Sequence, residues 1–285
     1  MPFVIPYPEI DPVFFTIPVL GLPIRWYALA YLTAFIVGLL LFRRLMRQAA
    51  LWPGDQAPLT EDQVESLLTW IVLGVILGGR LGFVLFYQPA YYLQNPAEIL
   101  QIWTGGMSFH GGFLGVILAL ILFCRVHKAP LLQVGDAMAV ITAMGLFFGR
   151  IANFVNGELW GRSTDVAWAM VFPTGGPDPR HPSQLYQAGL EGALLFAVAW
   201  WLATRRGWLK RPGMMIGVFF VGYGLARTFV ETFRQADPQF ITEANPLGHV
   251  VRFSAEWGLT MGQVLSLPMV AVGIGFWAYA ARKPA

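Results

Sequence analysis

The sequence predicts an all-α integral membrane protein, a polytopic bundle of about seven transmembrane helices with small extracytoplasmic arm or head segments. Three observations lead there. Of its 285 residues, 56% are hydrophobic and only 12% charged, against about a quarter charged in an average soluble protein. Several apolar runs reach the roughly 20 residues needed to cross a hydrocarbon core about 30 Å thick. The basic residues gather in alternate connections between those runs. Length alone would allow two soluble domains, but hydropathy excludes them. Residues 1–285 are expected to form a single transmembrane domain.

Hydropathy places the spans at about 19–46, 66–88, 107–124, 131–156, 184–204, 212–233 and 261–281. "FRRLMR" (42–47), "CRVHK" (124–128), "RRGWLKR" (205–211) and "ARKPA" (281–285) follow the first, third, fifth and seventh of them. Those four segments hold eleven of the 19 Lys and Arg residues, so the positive-inside rule makes that side cytoplasmic. The N-terminus is then outside and the C-terminus inside. Longer connections at 89–106, 157–183 and 234–260 fall on the external side. The last two, containing "FPTGGPDPRHPSQLY" and "ADPQFITEANPLGHVVRF", read either as arms that cover a site or as plain external loops.

The first eighteen residues carry five prolines and no Lys or Arg, which is not the pattern of a cleavable secretory signal. The single cysteine, Cys124, excludes an internal disulfide and a cysteine-pair metal site and reads as a small packing residue. The net charge of +3 resides at helix ends rather than in a basic stripe, so no nucleic-acid partner is expected. Gly74, Gly78 and Gly82 on the second span, and Gly111 and Gly115 on the third, have the spacing that lets helices approach closely in lipid.

Charge inside the spans is what packing leaves over. Arg80, Arg150 and Arg227 lie within or near the outer ends of spans two, four and six, where an arginine is costly and tends to be functional. The inward-running spans begin with Arg25 and Tyr27, with Ser108 and His110, and with Gln184, Tyr186 and Glu191. Six helices thus bring polar groups to one depth, predicting a cationic cavity open toward the outer leaflet. Tyr223, Arg227 and Glu231, four residues apart, share a face. Arg227 and Glu231 can pair, either simply neutralising each other or leaving guanidinium donors free for a ligand.

In "GRIANFVNGELWGR" (149–162), Arg150 and Asn153 share a face, Gly157 ends or distorts the helix before Glu158, and Trp160 suits a membrane interface. His110, within "GGMSFHGGFLG" (105–115), is either a packing residue or a reactive one; its glycines permit close approach of a ligand. Asp136 is expected to cap the helix that carries it. Clustered arginines at this depth suit the phosphate of a phospholipid headgroup. The chain has no calcium loop, zinc pair, P-loop or GxSxG elbow. No metal or cofactor is therefore expected, and the nucleophile would arrive with a second substrate.

"GRIANFVNGELWG" closely resembles the signature of the bacterial prolipoprotein diacylglyceryl transferases, with Gly149, Arg150, Asn153, Phe154, Asn156, Glu158 and Gly161 at its defining positions. "GGRLGFVLFY", "FHGGFLG", "RHPSQLY" and "GYGLARTFVETFRQ" resemble the family's other blocks in the expected order. The resemblance implies a multi-pass enzyme of the bacterial plasma membrane that moves the diacylglyceryl group of phosphatidylglycerol to the lipobox cysteine thiol of a prolipoprotein. A thioether forms and glycerol phosphate leaves. It implies His110, Arg150 and Arg227 as catalytic, and Arg150, Tyr27, Arg80, Asn153, Glu158, Tyr223 and Glu231 as substrate-binding or supporting. Two positions depart from it: Arg25 stands where many members have histidine, and Gln187 where glutamate is expected, with Glu191 one turn later as the alternative carboxylate. A lipid or anion transporter would also explain a cationic cavity, but not the shared signature.

Overall fold

The computed structural model describes residues 4–8, 10–19, 21–254 and 257–283. The ends of the "ARKPA" tail and of the proline-rich N-terminal stretch, and residues 255–256 of the 234–260 segment, lie outside the described residues. In chain order the elements are β1 (Ile5–Pro6), β2 (Val13–Ile17), β3 (Leu22–Arg25), α1 (Trp26–Met46), α2 (Glu61–Phe86), α3 (Pro89–Gln94), α4 (Phe109–Val126), α5 (Leu131–Val155), β4 (Met170–Val171) and α6 (Ser183–Gln187). A π-helical turn, Ala188–Leu194, joins α6 to α7 (Leu195–Arg205), followed by α8 (Met214–Val230), β5 (His249–Arg252), β6 (Gly258–Thr260) and α9 (Met261–Ala281).

Among the described residues, six helices are long and apolar enough to cross a membrane: α1, α2, α4, α5, the continuous Ser183–Arg205 and α9. The apolar α8 has 17 residues, the lower limit of about 17–25 for a span. The protein is therefore a polytopic helical membrane protein of about seven spans, as predicted. The first span begins later than expected. Residues 22–25 form β3, which pairs antiparallel with β2, Val13 opposite Arg25 and Ile17 opposite Leu22. Pro23 supplies no N–H to a helical ladder, and Gly21, at φ 61°, turns the hairpin. Arg25 is thus a strand residue. The second span begins earlier, at Glu61, because Thr60 and Gln63 form a reciprocal capping box.

The chain divides into two compact units, Phe42–Gly135 and the remainder, Met1–Leu41 with Asp136–Ala285. In Phe42–Gly135 the predicted glycines bring α2 and α4 together. A Cβ on Gly74 or Gly78 would run into the carbonyls of Gly115 or Gly111, and one on Gly82 into the Cα of Gly111. Any side chain there would force the helices apart. Cys124 is buried in α4, as a packing residue should be. Arg43 and Arg47 meet Glu65 and Glu61 at 2.5 and 2.8 Å.

The larger unit packs α8 on α9 by the same device, with Gly217 against Gly273 and Gly224 against Ser266 and Val270. Asp136 does not cap its own helix. Its carboxylate accepts the N–H groups of Gly213 at 2.6 Å and Ile216 at 2.9 Å, capping α8. Gly213 has no side chain to satisfy those orphan donors, so a residue 77 positions away does so. Asp136 is fully buried, and its removal leaves buried N–H groups unpaired. Asp136→Ala is expected to cost about 2 kcal/mol and lower the thermal midpoint in detergent, with Asp136→Asn intermediate because its carbonyl oxygen still accepts.

Candidate functional site

The site begins where α5 stops. Asn156 N–H bonds to Ala152, Gly157 N–H to the Phe154 carbonyl and Glu158 N–H to the Asn153 carbonyl. Gly157 lies in the left-handed region at φ 64°. This is a Schellman termination, the helix end that Gly157 predicted. Tyr7 adds its hydroxyl to the last carbonyls, Phe154 at 2.6 Å and Val155 at 2.9 Å. The chain then reverses, and Glu158 faces back along the helix it has just left.

That reversal starts a continuous run of polar contacts. Asn156 and Asn153 donate to one Glu158 oxygen at 3.3 and 2.9 Å, and Arg150 donates to the side-chain Oδ1 of Asn153 at 3.3 Å. Glu191, in the π-helical turn, stands 3.9 Å from Arg150 Nε and 3.8 Å from Arg227 Nη1. Arg227 Nη2 meets Glu231 at 2.8 Å, the predicted pair one helical turn apart, and Arg234 lies 3.5 Å from both Glu231 oxygens. Eight side chains are therefore linked from Glu158 to Arg234 along α5, the π turn and the end of α8. Tyr27 of α1 lies within electrostatic reach of Arg150 and Glu158. Tyr223 of α8 has the same relation to Glu191 and to Arg150, Arg227 and Arg234.

Arg234 and the bridging position of Glu191 go beyond the sequence expectations. Arg234 falls beyond the last turn of α8, at the start of the segment expected to be external. Yet 223, 227, 231 and 234 follow one helical face, and continuing that face past the helix end would have found it. Burial, and then the nearby Arg227, lower its pKa from the ordinary value; a guanidinium nonetheless stays charged.

The segments after α5 and α8 are tied together by backbone. Gly161 N–H bonds to the His181 carbonyl, Arg162 N–H to Phe233 and His181 N–H to Arg162. A Cβ on Gly161 would strike Phe233 and His181, so only glycine fits. Trp160 has partners on both its polar and its aromatic parts. Its indole N–H bonds to Thr174 at 3.1 Å, and the Arg180 guanidinium lies over its ring at 4.0 Å. Gln184 donates to the Glu158 carbonyl. Tyr186 accepts the indole N–H of Trp168 at 2.6 Å and stands 3.0 Å from His181 Nδ1.

Arg80 and His110 belong to Phe42–Gly135. Arg80 is buried at 3% exposure and donates to the carbonyls of Glu98, Ile99, Gly105 and Gly106 at 2.6–3.3 Å. One guanidinium thus gathers the connection between α2 and α4. Ser108 caps α4 by accepting from Gly111 N–H at 3.1 Å. His110 follows in the first turn, exposed and edge-on to Phe109.

Burial lowers the pKa of His181 below its ordinary 6.5. The unfolded chain therefore takes up this proton more readily than the folded one, and stability falls as pH drops below about 6.5. The thermal midpoint is expected to decline over that range, and His181→Gln to flatten the decline.

The sequence pattern of the family described as prolipoprotein diacylglyceryl transferase matches residues 12–279. A Ruegeria pomeroyi protein named phosphatidylglycerol–prolipoprotein diacylglyceryl transferase is 52% identical over the full length of both chains. One of the same name from Cereibacter sphaeroides is 53% identical over 95% of this chain and 96% of its own. Another from Rhizobium meliloti is 50% identical over 99% and 95%. A match spanning nearly every element from β2 to α9, joined to relatives that share half of all residues, means that the chain belongs to the prolipoprotein diacylglyceryl transferase family.

Proposed function

We infer that the chain carries out the family's reaction, transferring the diacylglyceryl group of phosphatidylglycerol to a prolipoprotein in the first step of lipoprotein maturation. The acceptor is the lipobox cysteine thiol. The observation that supports this reading best is the run from Glu158 to Arg234, which brings together Arg150 and Arg227 of membrane helices and Arg234 just past the end of α8. Each guanidinium has more donors than its carboxylate partners use. The free ones suit phosphate oxygens.

The chemistry follows from charge. The thiolate sulfur attacks the glyceryl carbon, a C–S bond forms, the C–O bond to phosphate breaks, and its electron pair stays on the departing glycerol phosphate. The phosphodiester begins with one negative charge and the leaving group approaches two. Arg150 and Arg227, fixed beforehand by Asn153, Glu191 and Glu231, bind the growing charge more strongly than the starting one, which lowers the barrier. Tyr27, Tyr223, Asn153, Glu158 and Glu231 shape the headgroup site, and Arg80 serves by holding the 95–106 connection. A free thiol with pKa near 8.5 is only a few per cent ionised at pH 7. His110 takes or relays its proton, or orients the headgroup.

The N-terminus lies outside, the C-terminus lies in the cytoplasm, and the site opens toward the outer leaflet. The single transmembrane domain presents 157–183 and 234–260 as external arms. Purified protein given phosphatidylglycerol and a lipobox peptide should add one diacylglyceryl mass to the peptide. Arg150→Ala should lower that rate at least about a hundredfold. Lipid movement without the adduct would overturn the reading. His110→Ala separates the two roles of His110, since recovery at high pH supports proton removal and no recovery supports headgroup orientation.

A further inference from the structure

Glu191 stands between the two arginines assigned to the phosphate, yet it does not use them as Glu231 does. Its separations of 3.9 and 3.8 Å are within ion-pair range and beyond hydrogen-bond range. Neither carboxylate oxygen of Glu191 nor Arg227 Nη1 has a hydrogen-bond partner among the described residues. Glu231, by contrast, meets Arg227 at 2.8 Å. Glu191 therefore lends negative charge to two guanidiniums without occupying their donors.

Its placement is built into the backbone. Gly192 lies so close to α5 that a Cβ would collide with the Phe147 backbone, and Phe147 is one helical turn before Arg150. The π-helical turn widens the helix here, a distortion that recurs at functional sites, and Glu191 is fully buried within it. Along the run, Arg150, Arg227 and Arg234 face Glu191, Glu231 and, through Asn153, Glu158, so three guanidiniums stand among three carboxylates.

Coulomb energy scales with charge, so a fixed carboxylate repels the glycerol phosphate dianion twice as strongly as the phosphodiester monoanion at the same position. We propose that Glu191 is a positioning residue that holds Arg150 and Arg227 apart with their donors free, and sets the cluster's charge so that glycerol phosphate is released after transfer. This rests on the functional reading above.

The test uses the full-length protein in phosphatidylglycerol-containing nanodiscs, comparing wild type with Glu191→Gln and Glu191→Asp. The glutamine variant should bind inorganic phosphate and glycerol phosphate about tenfold more tightly or better. Its KM for phosphatidylglycerol should fall less than that, and its steady-state kcat should drop as product release becomes limiting. The aspartate variant, which keeps the charge, should retain wild-type phosphate affinity. A residue with a merely structural role would weaken phosphate binding when lost. Unchanged or weaker binding in Glu191→Gln overturns the proposal, as does tighter binding in Glu191→Asp should the glutamine variant not fold. Wild-type protein that transfers no diacylglyceryl, or whose phosphate binding survives Arg150→Ala, would instead count against the functional reading.

Discussion

A guanidinium within a membrane-spanning helix persists only where something nearby balances its charge and takes its hydrogens. Here that balance is the alternation of Arg150, Glu191, Arg227, Glu231 and Arg234. Three features of the larger unit place those groups. The Schellman end of α5 turns Glu158 back toward Asn153 and so braces Arg150. The π turn carries Glu191 between two helices, and the capping of α8 by Asp136 anchors the helix that carries Arg227 and Glu231. Removing one member of such a run leaves its neighbour charged and buried, which costs far more than the pair contributes when intact.

Close backbone approach is the second constraint. Lipid supplies no hydrophobic drive for helices to associate, so contact must come from packing. Glycine makes it possible between α2 and α4, between α8 and α9, and between the π turn and α5. These places are also where polar groups gather. Gly82 meets the turn beginning at Ser108, and Gly262 packs against the Glu231 carboxylate.

The spans, the glycine faces and the Arg227–Glu231 pair were legible because each is a local periodicity: apolar length, four-residue spacing or helical reach. The hairpin that takes residues 22–25 from the first span was not, because Leu22 and Ile24 look alike to hydropathy in a strand or a helix. Asp136 misled for another reason. An acid near a helix start reads as that helix's own cap, whereas its partners are α8 donors far along the chain. Glu191 was visible as a carboxylate, but its meaning depends on a π turn and on the contact of Gly192 with Phe147, which no spacing in the sequence announces. Arg80 shows the opposite limit. Its cost in a span was legible, while its commitment to four carbonyls depends on how the 95–106 connection folds.

The absence of a side chain at Gly161 reaches further than packing. Residues 160–162 run between the chain at His181 and the chain at Phe233–Arg234, hydrogen-bonded to both, and Arg162 adds bonds to the Arg234 and Leu247 carbonyls. The end of α5, the entry to α6 and the exit of α8 are thus stitched into one small sheet-like seam. A displacement of any of these three chain ends is passed to the other two, so the arginines and carboxylates they position travel as a single body. The seam acts as a stiffener for the polar run, and substrate-driven movement must be sought in segments that it does not tie.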